Sequence, residues 1–212
     1  MTKIAILGAG RVGLALATGL AAAGHSLVLG VRDVAQASAK WEGPALVFAP
    51  MAAAARDADV IFNATPGESS VATLSALRSD MAGKTLIDVA NATVRGPDGI
   101  PSGLVYSGSS LAEALQQALP DTRVVKALNT VLSPVMANPG LLASPATIFV
   151  SGDDEDAKAV ARALLRDLGW RDHAIQDLGG LDSARGTEAL ILLAPYLLRA
   201  QGRIPFALTA VR

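Results

Sequence analysis

Cysteine is absent from the 212 residues and histidine occurs only twice. Disulfides, thiolate chemistry and nearly all zinc or iron centres are thereby excluded, and no metal site is expected. His25 follows a helix-ending Gly24 and His173 lies in a polar stretch, so both read as loop residues rather than bases or ligands. Aromatics make up 4% of the chain, which leaves aliphatic side chains to fill closely packed helix-on-sheet layers. An excess of one charge is lacking too. The 18 Lys and Arg and 19 Asp and Glu leave a net charge of −1 without a Lys/Arg cluster, whereas a nucleic-acid surface needs a basic patch. No apolar run approaches the roughly 20 residues of a membrane helix, and no basic-then-apolar leader opens the chain. A cytoplasmic protein that binds neither nucleic acid nor membrane is expected.

What is present begins at once. Lys3-Ile-Ala-Ile-Leu-Gly8-Ala-Gly10-Arg-Val-Gly13 breaks from a short apolar run into G-x-G-x-x-G. The context supports a dinucleotide-binding turn. Ile4 to Leu7 reads as a strand buried on both faces, Val12 to Ala23 as an Ala/Leu-rich helix, and Gly24 as its left-handed stop. Gly8 permits the tight turn, Gly10 lets a pyrophosphate approach the backbone, and Gly13 allows close packing of helix on sheet. The helix N-terminus then faces the phosphates. Gly8, Ala9, Gly10, Arg11, Val12 and Gly13 are therefore candidate cofactor-binding residues.

The second strand, Ser26 to Gly30, is followed by Val31-Arg32-Asp33. An NAD site usually ends this strand in an acid that accepts both ribose hydroxyls. Gly30 and Val31 hold those positions here, and the Arg32 guanidinium suits a 2′-phosphate. Arg11 can add a second positive contact, while Asp33 could still reach a ribose hydroxyl. NADP is favoured over NAD.

Strand and helix patterns alternate along the chain. Strands are expected near 59–63, 85–89, 123–128 and 147–150, a short segment near 45–48, and helices near 35–41, 51–56, 69–79, 111–118 and from about 152 to 168. The regions 96–108 and 133–145 read as loops. This predicts an α/β, Rossmann-type, doubly wound and mostly parallel sheet with a small C-terminal helical and extended lobe. Residues 1–145 form the expected dinucleotide-binding domain. Residues 146–212 are expected to complete the sheet and contribute dimer or cleft contacts. Asp153 to Asp156 read as acids favouring a helix start, not as a metal site. A last helix is predicted over 183–201, kinked at Pro195. Its middle is apolar on every side, which requires burial all round and points to a homodimer. Residues 204–211 read as a closing extended segment.

Ligands in such a sheet collect outside the carboxyl ends of its strands. Ala64-Thr65-Pro66, Ala90-Asn91 and Asn129-Thr130 each follow a strand and should share one rim. Thr65-Pro66 could instead only end a strand and start a turn, and Asn91 and Asn129 could bond only to their own backbone. Arg185 and Glu188, one helical turn apart, suggest a structural ion pair.

These pieces together resemble the NADPH-dependent reductases of the deazaflavin coenzyme F420, a domain type also found as the reductase domain of some membrane metalloreductases. The resemblance is carried by the glycine loop, Gly24-His25, Leu29-Gly30 before Arg32, Ile87-Asp88-Val89 before Asn91, Val125 to Thr130, Gly152-Asp153-Asp154, and Leu181 with Ala184-Arg185 and Glu188. It spans almost the whole chain. It implies hydride transfer between NADPH and a stacked deazaflavin, a reaction that needs alignment more than a general base. By resemblance, the glycine loop with Val31 and Arg32 holds the NADP half, and Ala64, Thr65, Pro66 and Asn91 lie along the nicotinamide. Asn129 and Thr130 would orient the acceptor as the catalytic candidates.

Two departures stand out. Val31 replaces a common serine beside the phosphate, and Gly67 replaces a large residue after the strand-end proline, which would widen the acceptor side. The primary expectation is an NADP-dependent oxidoreductase that passes hydride to a deazaflavin or flavin-like acceptor. NADPH-dependent reduction of a small carbonyl, imine or quinone is a second reading, and a non-catalytic NADP(H) sensor a third. Lys126 lies on a strand feeding the rim, but its strand position does not say where its side chain goes.

Overall fold

The computed structural model describes residues 2–41, 43, 45–202 and 204–210. Its first strand sets the plan. In β1 (Lys3–Leu7), Ile4 and Ile6 join one apolar cluster while Ala5 and Leu7 join another. Period-two alternation sends successive side chains to opposite faces, so a strand apolar throughout must be covered on both sides. β4 (Val60–Asn63) repeats this, with Val60 and Phe62 on one face and Ile61 on the other. Each buried Val, Leu, Ile or Phe side chain of this kind stabilises the fold by about 1.5–3 kcal/mol relative to exposure.

The remaining strands are β2 (Ser26–Val31), β3 (Val47–Pro50), β5 (Thr85–Asp88), β6 (Thr93–Arg95), β7 (Pro101–Leu104), β8 (Arg123–Ala127), β9 (Ile148–Gly152) and β10 (Ile175–Asp177). Eight of them form one sheet in the order β10-β9-β8-β5-β4-β1-β2-β3. Pairing is parallel from β3 across to β8. β9 then runs antiparallel to β8, and β10 pairs in parallel with β9. The chain reverses direction in the sheet between β1's two neighbours, β2 and β4, which opens a crevice at their carboxyl ends.

One face of the sheet is covered by α1 (Arg11–Ala22), α7 (Ser133–Ala137) and α8 (Glu155–Asp167). The other carries α3 (Met51–Asp57), α4 (Gly67–Ser75), α5 (Arg78–Met81) and α6 (Leu111–Ala118). α2 (Val34–Ala39) lies at the β3 edge, and α9 (Ala184–Ala189) and α10 (Ala194–Gln201) close the chain. This is the expected doubly wound Rossmann-type architecture.

Several elements differ from expectation. The loop-rich region 96–108 belongs largely to the β6–β7 hairpin, whose turn uses Gly99 at φ +75°. Ser133-Pro134 opens α7 instead of a loop, because proline suits a first helical turn whose N–H groups are unpaired anyway. β10 has one buried residue in three, too little apolar pattern to read as a strand. The helix expected over 69–79 is divided into α4 and α5.

The long C-terminal helix is also divided. α9 passes through a tight turn at Leu190–Leu192 before α10, and Pro195 sits in the first turn of α10 rather than kinking a continuous helix. No residue from Leu190 to Gln201 is buried within the single chain. The segment 204–210 forms no strand and is tied beside β9 by side chains. Thr209 Oγ1 accepts the Thr147 N–H at 3.2 Å, and Thr147 Oγ1 accepts that of Ala210 at 3.1 Å. Val211 lies outside the described residues.

Candidate functional site

The turn after β1 is held by contacts that tolerate no side chain. Gly8 has φ +108°, and a Cβ there would stand 2.5 Å from the Ala64 carbonyl oxygen. A Cβ on Gly13 would fall 1.9 Å from the Gly8 carbonyl oxygen, so α1 can pack this closely only through glycine. Gly10 differs. A Cβ there would meet no protein atom within 4 Å, because the position faces open space. No side chain caps α1 and no acid occupies its first turn, leaving N–H donors and the positive dipole end for an anion.

That space is a cavity of about 870 Å³ between the carboxyl ends of β1, β2 and β4. The glycine loop borders it on one side, Val31 and Arg32 on a second, and Ala64-Thr65-Pro66 on a third. Every cofactor-binding candidate lines it except Gly13, buried beneath the loop, and Asn91. Arg11 and Arg32 are exposed at its edge. Asp33 borders it too, but its Oδ1 accepts the Gln36 N–H at 2.9 Å and caps α2. This carboxylate is therefore committed in part to the helix and less available to a ribose.

Sequence reasoning missed the contribution of α2. Gln36 and Ala37 of α2, with Lys40 and Trp41 just past its end, border the cavity at helical spacing. That periodicity, next to Arg32, was the available signal. Lys40 adds a third cation, and none of Arg11, Arg32 and Lys40 has an ion-pair partner among the described residues.

The nicotinamide-side candidate Asn91 and the acceptor candidates Asn129 and Thr130 lie elsewhere. Asn91, Asn129 and Thr130 do not border the cavity. Asn91 Nδ2 donates to the Asn129 carbonyl oxygen at 2.8 Å, and Asn129 Nδ2 returns a bond to Asn91 Oδ1 at 3.0 Å. The two loops are thus bonded to each other rather than each to its own backbone. Asn129 follows Leu128, a fully buried non-glycine residue at φ +63°, a conformation that costs on the order of 1–3 kcal/mol and tends to mark functional turns.

Gly67 does not widen this region. It is buried, and a Cβ would stand 2.2 Å from the Asn91 carbonyl oxygen. The residue is small because the backbone at 91–92 crosses over it. The Arg185–Glu188 pair also fails to form. Arg185 Nε donates to Glu113 Oε2 at 2.9 Å, and its guanidinium holds the Glu113 carboxyl down at about 2. Glu188 turns inward to accept the Leu111 and Ala112 N–H groups at 2.8 and 3.1 Å, at the start of α6.

Glu188 also meets Lys126, whose side chain is wholly buried. Lys126 Nζ lies 2.8 Å from Glu188 Oε1 and 2.8 Å from Asp88 Oδ2, and donates to the Ala90 carbonyl oxygen. Asn63, Asp88 and Lys126 are register partners on β4, β5 and β8. A polar rung at the ends of three apolar strands was legible as a pattern, though not as a contact.

Residues 3–92 match the family of coenzyme F420-dependent NADP oxidoreductases. An F420-dependent NADP reductase of Methanothermobacter marburgensis is 31% identical over 205 residues, covering 89% of this chain and 88% of that one. The chain belongs to the F420-dependent NADP oxidoreductase family.

A solved structure from Arthrobacter sp. fb24, provisionally assigned as an F420-dependent NADP reductase, superposes over 100% of both chains at a TM-score of 0.92 with 37% identity. Metalloreductase STEAP3 of Rattus norvegicus is 32% identical over 190 residues, 90% of this chain. The chain spans 36% of that relative's length. No helix among the described residues is long and apolar enough to cross a membrane. For a member of this family of NADP-dependent oxidoreductases, the glycine loop, the uncapped helix start and the unpaired cations form a donor set that suits NADP(H).

Proposed function

We propose that this chain transfers hydride between NADPH and a deazaflavin of the F420 type. The observation that carries the reading is the cavity itself. Its anion-ready helix start lies beside Arg11, Arg32 and Lys40, and it extends to the strand end at Thr65-Pro66. In this reading Gly8 to Gly13 hold the pyrophosphate, with Gly13 acting through packing. Val31 supports the adenosine side while Arg32 and Lys40 grip the 2′-phosphate. Ala64, Thr65 and Pro66 border the nicotinamide, with Asn91 behind them. Asn129 and Thr130 orient the acceptor.

When bound, the nicotinamide supplies the hydride, and the deazaflavin takes it up with a proton from solvent. The protein's contribution is alignment and exclusion of water. Residues 1–145 act as the dinucleotide-binding part and 146–212 as the part that completes the sheet.

The same reading includes a homodimer. Leu193 and Tyr196 on the C-terminal turn and helix are exposed, as are Val94 and Val105 at the nearby hairpin. A second copy would cover these side chains, and sedimentation equilibrium tests that. A cytoplasmic setting belongs to the proposal as well.

Anaerobic mixing with NADPH and oxidised deazaflavin tests the chemistry. Loss of the deazaflavin absorbance in step with NADPH oxidation is expected. NADPH binding with neither chromophore changing would overturn the acceptor assignment and leave the dinucleotide site in place.

A further inference from the structure

The polar rung beneath the cavity has a direction. Lys126 can only donate, and it faces Asp88 Oδ2 at 2.8 Å. The paired Asp88 carboxylate can only accept, so the atoms facing Oδ1 must be donors. They are Asn63 Nδ2 at 2.8 Å and the Ala90 N–H at 3.2 Å. This orients the Asn63 amide and turns its oxygen toward the cavity wall. There Asn63 Oδ1 accepts the Thr65 N–H at 3.1 Å and the Thr65 hydroxyl at 2.6 Å.

The opposite amide orientation would set oxygen against carboxylate on one side and NH₂ against a backbone N–H on the other. Both ends therefore demand the same orientation. The neighbouring Ser70 Oγ accepts from Asn63 Nδ2 at 3.1 Å and lies 2.8 Å from Thr65 Oγ1. Ser70 Oγ also donates to the Pro66 carbonyl oxygen at 3.0 Å, so the Thr65 proton is taken up by Asn63 Oδ1 or Ser70 Oγ within this cluster, and Thr65 Oγ1 has lone pairs left to offer.

We infer that Thr65 presents a hydrogen-bond acceptor, and not a donor, to the ligand in the cavity, and that the Lys126–Asp88–Asn63 chain imposes this polarity. Thr65 borders the cavity and is 5% exposed. The group that it selects is a donor on the nicotinamide half of the dinucleotide, either the carboxamide NH₂ or a ribose hydroxyl. Lys126, Asp88 and Asn63 are positioning residues that act through Thr65. The assignment rests on the dinucleotide reading of the cavity.

A mutant cycle on NADPH binding, read by nicotinamide fluorescence with melting temperatures alongside, tests the inference. Thr65→Val should weaken binding by about three- to tenfold, the scale of one lost hydrogen bond. Thr65→Ser should retain it. Asp88→Asn keeps the shape and leaves Lys126 paired with Glu188. Its new NH₂ group opposes the Asn63 amide, so binding should fall to a similar degree. The double variant should bind no more weakly than Thr65→Val alone. Effects that multiply, or wild-type binding by Thr65→Val, would overturn the inference. If Asp88→Asn does not fold, the Thr65→Val and Thr65→Ser comparison still decides whether the hydroxyl bonds the ligand, and wild-type affinity in Thr65→Val still overturns the inference.

The 3-acetylpyridine analogue of NADPH has no amide N–H. Loss of the Thr65→Val effect with this analogue assigns the donor to the carboxamide, and persistence assigns it to the ribose. Failure of the wild type to bind NADPH would remove the dinucleotide reading and this inference with it, a result distinct from wild-type affinity in Thr65→Val.

Discussion

Asn91 and Asn129 bond to each other reciprocally across the carboxyl ends of β5 and β8, through one side chain-to-backbone and one side chain-to-side chain bond at 2.8 and 3.0 Å. Neither amide is spent on its own loop. The pair ties two of the strand-end loops on the proposed acceptor side, while the Lys126 rung ties strand ends beneath them. Asn129→Ala should remove the return bond and about 1 kcal/mol of stability. Because neither residue borders the cavity, steady-state kinetics should show a lower kcat with NADPH affinity nearly unchanged. A loss confined to NADPH binding would contradict that placement.

Arg32 is exposed at the cavity edge without an ion-pair partner among the described residues. Arg32→Glu should weaken NADPH binding by about tenfold or more, as one charge-assisted contact is replaced by repulsion. NADH binding should change much less, since it lacks the 2′-phosphate. Titration of both cofactors checks this, and equal losses would show that Arg32 does not read the phosphate.

Lys40 was not evident as a contact from sequence. Lys40→Ala should also reduce the preference for NADPH over NADH, by less than Arg32→Glu because no opposing charge is introduced. Competitive binding of the two cofactors measures the ratio.

Gly67→Ala puts a methyl group 2.2 Å from the Asn91 carbonyl oxygen. A backbone neighbour cannot yield as a side-chain tip can. A loss of about 1–3 kcal/mol is expected from overpacking, visible as a lower melting temperature. Unchanged stability would mean that the 91–92 backbone moves freely.

The Glu113–Arg185 pair predicts an acid-dependent contribution. The folded-state carboxyl is held at about 2, below its ordinary 4.5, first by hydrogen bonding to Arg185. A depressed carboxyl stabilises the fold fully above its unfolded value, and that contribution is lost as pH falls through the folded value. Melting curves of wild type and Arg185→Ala should therefore differ by a constant amount above about pH 4.5 and converge toward pH 2. Because Arg185 is exposed, the difference should be small and should shrink with added salt.

Legibility varied with the range of the interaction. The β1 turn was readable because Gly8, Gly10 and Gly13 are spaced by local geometry, and apolar runs such as Val60-Ile-Phe marked buried strands. Pro134 and Pro195 were harder, since proline opens a helix as readily as it interrupts one. Gly67 was misread because what prohibits its side chain is the backbone of residues 91–92, more than twenty positions away. Arg185 and Glu188 were paired by helical spacing, yet Glu113 and Lys126 claimed them from other elements.

The amino-acid sequence by itself determined the alternation of elements, the dinucleotide turn and the cation beside it, because each depends on residues within a few positions of one another. Only the tertiary structure decided that Asp33 caps a helix, that Lys40 joins the cavity, and that Asn63, Asp88 and Lys126 meet. Hydrogen bonds and close contacts of that kind depend on strand register and on which loops lie side by side. These are set when the sheet assembles, and local pattern carries no record of them.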